Sequence, residues 1–387
     1  MENFELCIPT KIVFGKNRVH EIGKYAKDYG KKLLLVYGKG SIKKNGIYDE
    51  VINSLKEQNF EILEHSGVKS NPLLSHVNEG ISIAKNENVD FILAVGGGSV
   101  IDSAKAIAAG ALYDGNVWDF YKKTKKIKEA LPVLTVLTIP ATASEMNGGT
   151  VLTNEETNDK FGFIDDHLFP KVSILDPTVT YTINKKYTGY SAIDACIHLL
   201  EGYFTHDDVW LPIQDRYAEG LVKTIMESAN ILLEKPKDYV GRATLMWAAS
   251  LAWNGLGKAG AEGAQVHCHM FAHILGGHYD IAHGAALSII VPGWMKYMID
   301  KKAERFARFA KNVFGIEGKN DKDTAKKGIE ALERWFVKVG GPISFKDANL
   351  PIDELDKLTD SALVLAKIWE IKDYSKEDII EIFKKCI

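Results

Sequence analysis

Residues 90–99 read DFILAVGGGS. An unbroken apolar run that ends in three glycines and a serine is a buried strand delivering the chain to the start of a helix. Glycine lets backbone approach a ligand closely. A helix N-terminus offers free N–H groups and a partial positive charge, so this turn suits a phosphate. A plain capping turn has the same spelling, with Ser99 as cap and Asp102 three residues on.

Working outward, the pattern repeats. Residues 31–37 (KKLLLVY) form an apolar run that ends in Gly38, Lys39, Gly40 and Ser41. Residues 46–58 have helical periodicity, 60–65 read as a strand, 75–86 as a helix, and 133–139 as a strand closed by Pro140. Strands alternating with helices predict a parallel sheet covered on both faces, a Rossmann-like α/β domain. Two Gly-rich turns in it favour a dinucleotide over simple capping. Around residues 38–44 there is no acid to bind free ribose hydroxyls, only Lys39, Lys43 and Lys44, which predicts NADP(H) in preference to NAD(H).

After Asp176 and Pro177 the helical period dominates, over residues 191–204, 212–233, 241–256, 267–276, 285–298 and 303–314. The expected organisation is an α/β dinucleotide-binding domain over residues 1–180 and an all-α metal-binding domain over 181–387. The metal reading starts from Asp194 and His198, at i and i+4 in SAIDACIHLLEGYF, which share one face among apolar neighbours. A carboxylate there is costly unless paired or coordinated. Of the 11 histidines, His267, His269, His273, His278 and His283 crowd into QVHCHMFAHILGGHYDIAHG. An Asp/His set suits Fe(II), Zn(II) or Ni(II); spacing alone does not say which of the five histidines bind.

Composition narrows the classes further. The chain has 387 residues, 46% hydrophobic and 26% charged, with 48 basic against 51 acidic side chains and a net charge of −3. No global field draws in nucleic acid or an anionic membrane. Cys7, Cys196, Cys268 and Cys386 are scattered, which gives no disulfide framework and suits a cytoplasmic protein. The first residues, MENFELCIPTKIVFG, lack the pattern of a signal peptide, and no apolar run reaches the ~20 residues of a membrane span.

Taken together, PTKIVFG, YGKGS, GGGSVIDSAKAIA, TIPATASEM, ILDPT, DACIHLLEGYF, HMFAH and DIAHG resemble the iron-containing (group III) alcohol dehydrogenases, in particular their butanol dehydrogenase branch. The resemblance runs nearly end to end. It implies an N-terminal α/β domain, an all-helical metal domain, and hydride transfer between NAD(P)(H) and a small primary alcohol or aldehyde. It places the metal ligands on Asp194, His198, His269 and His283, and a non-ligating active-site histidine on His273. It gives no role to His267 or His278. For the cofactor it implies Gly38, Gly40 and Ser41 at the adenosine end, Gly97, Gly98, Ser99 and Asp102 along the pyrophosphate, and Thr138, Thr142 and Lys160 beyond. Lys160 lies in TNDKFGF, a short polar stretch that also reads as an exposed hairpin. The sequence departs from the pattern at Gly148, Gly149 and Thr150, small residues near the expected substrate position. Trp253 and Phe271 are candidate apolar contacts for an alkyl chain. The family often forms dimers, which implies a homodimer. Rival readings are a dehydroquinate-synthase-like lyase or a glycerol dehydrogenase of the same superfamily, and a metallohydrolase. The lyase wants basic residues around Asp194 and HMFAH that are not there, and the hydrolase leaves the Gly-rich turns unexplained.

Overall fold

The computed structural model describes residues 1–207 and 210–387. The chain folds into two compact units, each assembled from separated stretches. One comprises Cys7–Ile183 and Lys237–Asn254; the other comprises Met1–Leu6, Asn184–Pro236 and Gly255–Ile387.

The first unit is built on strands β1 (Lys11–Phe14), β2 (Lys32–Gly38), β3 (Glu61–Val68), β4 (Phe91–Gly97), β5 (Val133–Ile139), β6 (Gly149–Asn154), β7 (Asp159–Ile164) and β8 (Val172–Leu175). Six of them form one sheet in the order β1-β8-β5-β4-β2-β3, and every pair in it is parallel. Leu33, Leu34, Leu35 and Val36 of β2, and Phe91 to Val95 of β4, are fully buried, as a strand must be when both sheet faces are covered. The chain leaves β2 for the edge strand β3, then returns across β2 to β4. Neighbouring β2 and β4 therefore flank the point where the winding reverses, and their carboxyl ends carry the two Gly-rich turns.

Two sheet strands, β1 and β8, lie outside the four read from apolar runs. Each has only four residues, too few for periodicity to register. β6 and β7 form a separate antiparallel hairpin. The helix Tyr239–Ala252 joins this unit: Ser250 Oγ donates to Glu145 Oε1 at 2.5 Å, Arg242 to Ile183 O at 3.2 Å and Asn147 Nδ2 to Trp253 O at 3.3 Å.

The second unit is helical. Its central helix, Lys185–Thr205, is capped by the Asn184 side chain on Tyr187 N and is buried from Thr188 to Thr205. Its neighbours come unusually close. A Cβ on Gly189 would stand 1.9 Å from Val339 O, and one on Gly284 would stand 2.3 Å from Tyr190 O. The two helices read over 285–298 and 303–314 meet at a kink: the helical stretch His283–Phe309 breaks at Lys302, which is out of helical geometry, and a π turn Ala310–Phe314 follows.

Candidate metal centre and dinucleotide crevice

On the central helix, Asp194, His198 and Glu201 lie on one stripe at i, i+4 and i+7. The helix His267–Tyr279 supplies His269 and His273, one turn apart. It ends at Asp280, in the left-handed region at φ 50°, and the chain reverses so that His283 opens the next helix. Gly284 lets that helix start press on the Tyr190 carbonyl, which brings His283 level with Asp194.

Asp194 Oδ1 lies 3.7 Å from His198 Nδ1, 3.6 Å from His269 Nε2 and 3.6 Å from His283 Nε2. These separations exceed a hydrogen bond. They match the edge of a tetrahedron of about 3.3–3.6 Å around an ion about 2.0–2.2 Å from each donor. Asp194, His198 and His269 are at most 7% exposed, and their ligand atoms lie within 4.8 Å of one another. The residues present therefore fit a divalent cation. Of the five histidines between 267 and 283, His269 and His283 each turn an Nε2 toward Asp194. His267 Nδ1 pairs with the Tyr374 hydroxyl at 2.6 Å and His278 Nε2 with Ser361 Oγ at 2.9 Å, both away from this cluster.

The electrostatics agree. Burial raises the Asp194 carboxyl, but the imidazoles of His198, His283 and His269 outweigh it and hold it well below the usual carboxylate range. Burial pushes His198 down to about 4, so it stays neutral with a lone pair to offer. His269 goes the other way, up to about 9, because Glu201 and Asp194 overcome burial. A negative potential that holds an imidazolium also suits a cation.

Glu201 escaped the sequence reading. Fully buried, it accepts from the backbone N–H of Cys268 and of His269 and from His269 Nδ1. That bond fixes the ring and leaves Nε2 facing Asp194, the carboxylate–histidine arrangement that outer partners of metal ligands adopt. His273 stacks edge-on against Trp369 at 5.1 Å and against His283 at 5.5 Å. Phe271, a candidate for the alkyl chain, is instead core. It is fully buried against Tyr374 and Phe383, because its position on the helix faces away from His269 and His273.

In the α/β unit, open sheets of this type take ligands outside the carboxyl ends of the strands at the reversal point. Gly38, Gly40 and Ser41 lie there at the end of β2, and Gly97, Gly98 and Ser99 at the end of β4. Gly40 has φ +121° and needs to be glycine. Gly98 is required differently, since a Cβ there would stand 2.4 Å from Thr142 Oγ1. Thr138 ends β5, and Thr142 follows just before Ala143, which turns through φ 52°. Lys160 lies on a hairpin strand as expected but is not exposed. It is 5% accessible, and its Nζ donates to Asn71 Oδ1 at 2.8 Å.

The alternative Ser99–Asp102 capping box does not form. Gly97 occupies the cap position, Ser99 Oγ donates to Ser70 O, and Asp102 turns inward to accept from Ser144 Oγ at 2.7 Å and Val151 N at 3.2 Å. The departure at Gly148 and Gly149 also has a packing cause: a Cβ on Gly148 would stand 2.3 Å from Asp165 O. Of the three lysines near the first turn, Lys43 is already held over the Tyr37 and Tyr48 rings and 3.7 Å from Glu64. The Glu64 carboxylate in turn accepts from both tyrosine hydroxyls, at 2.6 and 2.7 Å.

A doubly wound sheet with paired glycine turns at its reversal point suits a dinucleotide, and the helical unit carries a buried Asp/His cluster that fits a divalent cation. Comparison with known proteins gives the family. Residues 9–177 match the iron-containing alcohol dehydrogenase family, and residues 188–387 match the C-terminal part of the same family. The chain belongs to that family. It is 42% identical to the probable NADH-dependent butanol dehydrogenase 1 of Bacillus subtilis over 99% of both chains. It is 36% identical to the NADPH-dependent aldehyde reductase YqhD of Escherichia coli over 90% of both. The crystal structure of NADH-dependent butanol dehydrogenase A from Thermotoga maritima is 47% identical, with a TM-score of 0.96 over 100% of this chain and 99% of that one. Among the described residues no helix is long and apolar enough to cross a membrane.

Proposed function

We propose that the protein interconverts small primary alcohols and aldehydes such as butanol and butanal, using NADP(H) in preference to NAD(H) and one divalent metal, Fe(II) first. The observation that carries this reading is the convergence of three imidazole nitrogens on Asp194 Oδ1 at 3.6–3.7 Å. Asp194, His198, His269 and His283 would hold the metal, with Glu201 fixing the His269 ring. Gly38, Gly40, Ser41, Gly97, Gly98, Ser99, Thr138, Thr142 and Lys160 would hold the dinucleotide, and Asp102 would act from behind by holding Ser144 and Val151. When bound, the metal supplies Lewis acidity toward the substrate oxygen, and the nicotinamide supplies or takes the hydride. His273 holds and moves the proton at an imidazole nitrogen, and Trp369 fixes the plane of that ring. The functional division we take is residues 1–180 and 181–387, which the two family matches support. A cytoplasmic homodimer is also part of this reading. Four free cysteines and the edge strand β1 support it, and light scattering tests the oligomer.

The test is steady-state reduction of butanal, followed by loss of reduced-nicotinamide absorbance, with each cofactor and with Fe(II), Zn(II) or Ni(II) restored to metal-free protein. No turnover under any pairing would end the proposal.

Relatives of both cofactor types share this fold, so the preference rests on the turn after β2, where the Glu64 carboxylate beside Lys43 is already engaged. Gly40→Asp is a poor probe because φ +121° strains any side chain there. Gly38 has ordinary backbone, and a Cβ would meet only Val68 O at 3.6 Å. Gly38→Asp should lower the NADPH-to-NADH ratio of kcat/KM by about tenfold or more, chiefly by repelling the 2′-phosphate. An unchanged ratio, or a wild type that favours NADH, would show that this turn does not select against the bare ribose.

The proton role of His273 predicts that His273→Ala keeps its metal and loses about 10²–10⁴-fold in turnover. His278→Ala, whose Nε2 meets Ser361 Oγ, should keep both. Elemental analysis beside kcat decides; metal loss in His273→Ala would make it a ligand.

A further inference from the structure

Lys105 lies on the helix Gly98–Ala111, one turn after Asp102, and is wholly buried. Lysine in that setting is rare, since an ammonium leaves water only at a large cost unless it is fully paired. Its Nζ reaches Asn147 O at 2.7 Å, Gly149 O at 2.8 Å, Ser144 Oγ at 3.0 Å and Asn147 Oδ1 at 3.3 Å. Three of these acceptors belong to the connection between β5 and β6, and the fourth, Gly149 O, to the first residue of β6.

That connection has little regular structure of its own to fix it. It consists of Ala143 in the left-handed region, a single 3-10 turn Ser144–Met146, and extended Asn147. Its shape is imposed from the helix. Asp102 takes Ser144 Oγ and Val151 N, while Lys105 takes two carbonyls between them. Asn147 passes the constraint on: its Nδ2 donates to Thr142 O at 3.3 Å and its Oδ1 accepts from Gly149 N at 2.8 Å. Ser144 N donates to Thr142 Oγ1 at 3.2 Å. Thr142 is thereby held where a Cβ on Gly98 would collide with it. Burial pushes Asp102 up and Lys105 down, while each helps keep its partner charged.

We propose that Lys105 is the positioning residue for dinucleotide binding, setting the approach of Thr142 to the Gly97–Gly98 turn without touching the cofactor. This rests on the assignment of that turn and of Thr142 to the cofactor. Packing alone would be satisfied by a methionine of similar length; positioning requires an ammonium with its donors aimed at the two carbonyls.

The test is Lys105→Met, with Asp102→Asn/Lys105→Met as a companion that also removes the Asp102 charge facing the lost ammonium, should the single variant fail to fold. Binding of NADPH and NADH is read from their own fluorescence without substrate, alongside metal content, kcat, both KM values and hydrogen exchange over residues 142–149. We expect cofactor Kd and cofactor KM to rise at least ~30-fold, with faster exchange in that segment. Metal content and aldehyde KM should stay within about twofold. Lys105→Met, or the double variant in its place, binding cofactor within threefold of wild type would overturn the positioning role alone. A wild type that binds neither nicotinamide would overturn the cofactor assignment and the positioning role together.

Discussion

His198→Ala and His283→Ala should each purify folded, nearly free of metal, and with turnover below roughly 1% of wild type, a larger loss than the ~10–100-fold that outer partners of a ligand cost. Both rings point a nitrogen at Asp194 Oδ1, and removing either leaves three donors for an ion that four fit. The fold should survive for different reasons at the two positions. His283 opens a helix at partial exposure, so water replaces its ring easily. His198 is buried and stacks on His269 at 4.4 Å, so its loss leaves a cavity beside Asp194 and costs more stability. Elemental analysis, activity and thermal unfolding separate these effects. Full metal occupancy in either variant would sink the four-ligand assignment.

The second large effect is expected from a residue with no side chain. Gly284→Ala places a Cβ 2.3 Å from the Tyr190 carbonyl oxygen, a backbone atom of the central helix that no rotamer change can move. Alanine would add up to about 1 kcal/mol of helix propensity. Overpacking of this kind costs about 1–3 kcal/mol, at its upper end where backbone meets backbone. Relief comes only from parting the two helix segments, which carries His283 away from Asp194. Metal affinity should therefore fall about 100-fold or more while the thermal transition drops only a few degrees. A variant with normal metal affinity would mean that the helix start slides along the central helix without displacing His283.

These two cases also show what was legible in the chain. Asp194 and His198 stood out because polar groups at i and i+4 on an apolar helix face are costly to bury unless they bind something together. Glu201 is on the same stripe and went unnoticed, because a glutamate in a helix usually faces water. Its role depends on His269 Nδ1, 68 residues away. Gly284 was visible only as part of DIAHG; its necessity lies in a carbonyl of another helix. Lys105 was hidden likewise, since a lysine among alanines reads as a solvated position until its four acceptors are known. The strands show the same division. β5 has the bounds read from VLTVLTI, and β2 and β4 lie within two residues of theirs. β1 and β8 are strands chiefly because the sheet already exists for them to pair with.

The return of Lys237–Asn254 to the α/β unit has a consequence for how the protein is made. When the ribosome has synthesised Ile183, every strand of the sheet is present, yet the buried Glu145 carboxylate still lacks Ser250 and the Asn147 amide lacks Trp253 O. Roughly seventy more residues must follow before those partners exist, about 4–14 s at ordinary elongation rates. During that interval the nascent chain carries a nearly complete parallel sheet with its 144–147 segment uncovered, and the helix Lys185–Thr205 is emerging without the partners it needs for burial. Folding of the first unit is thus tied to translation well past its last strand, and a truncation anywhere before residue 254 removes part of both units at once.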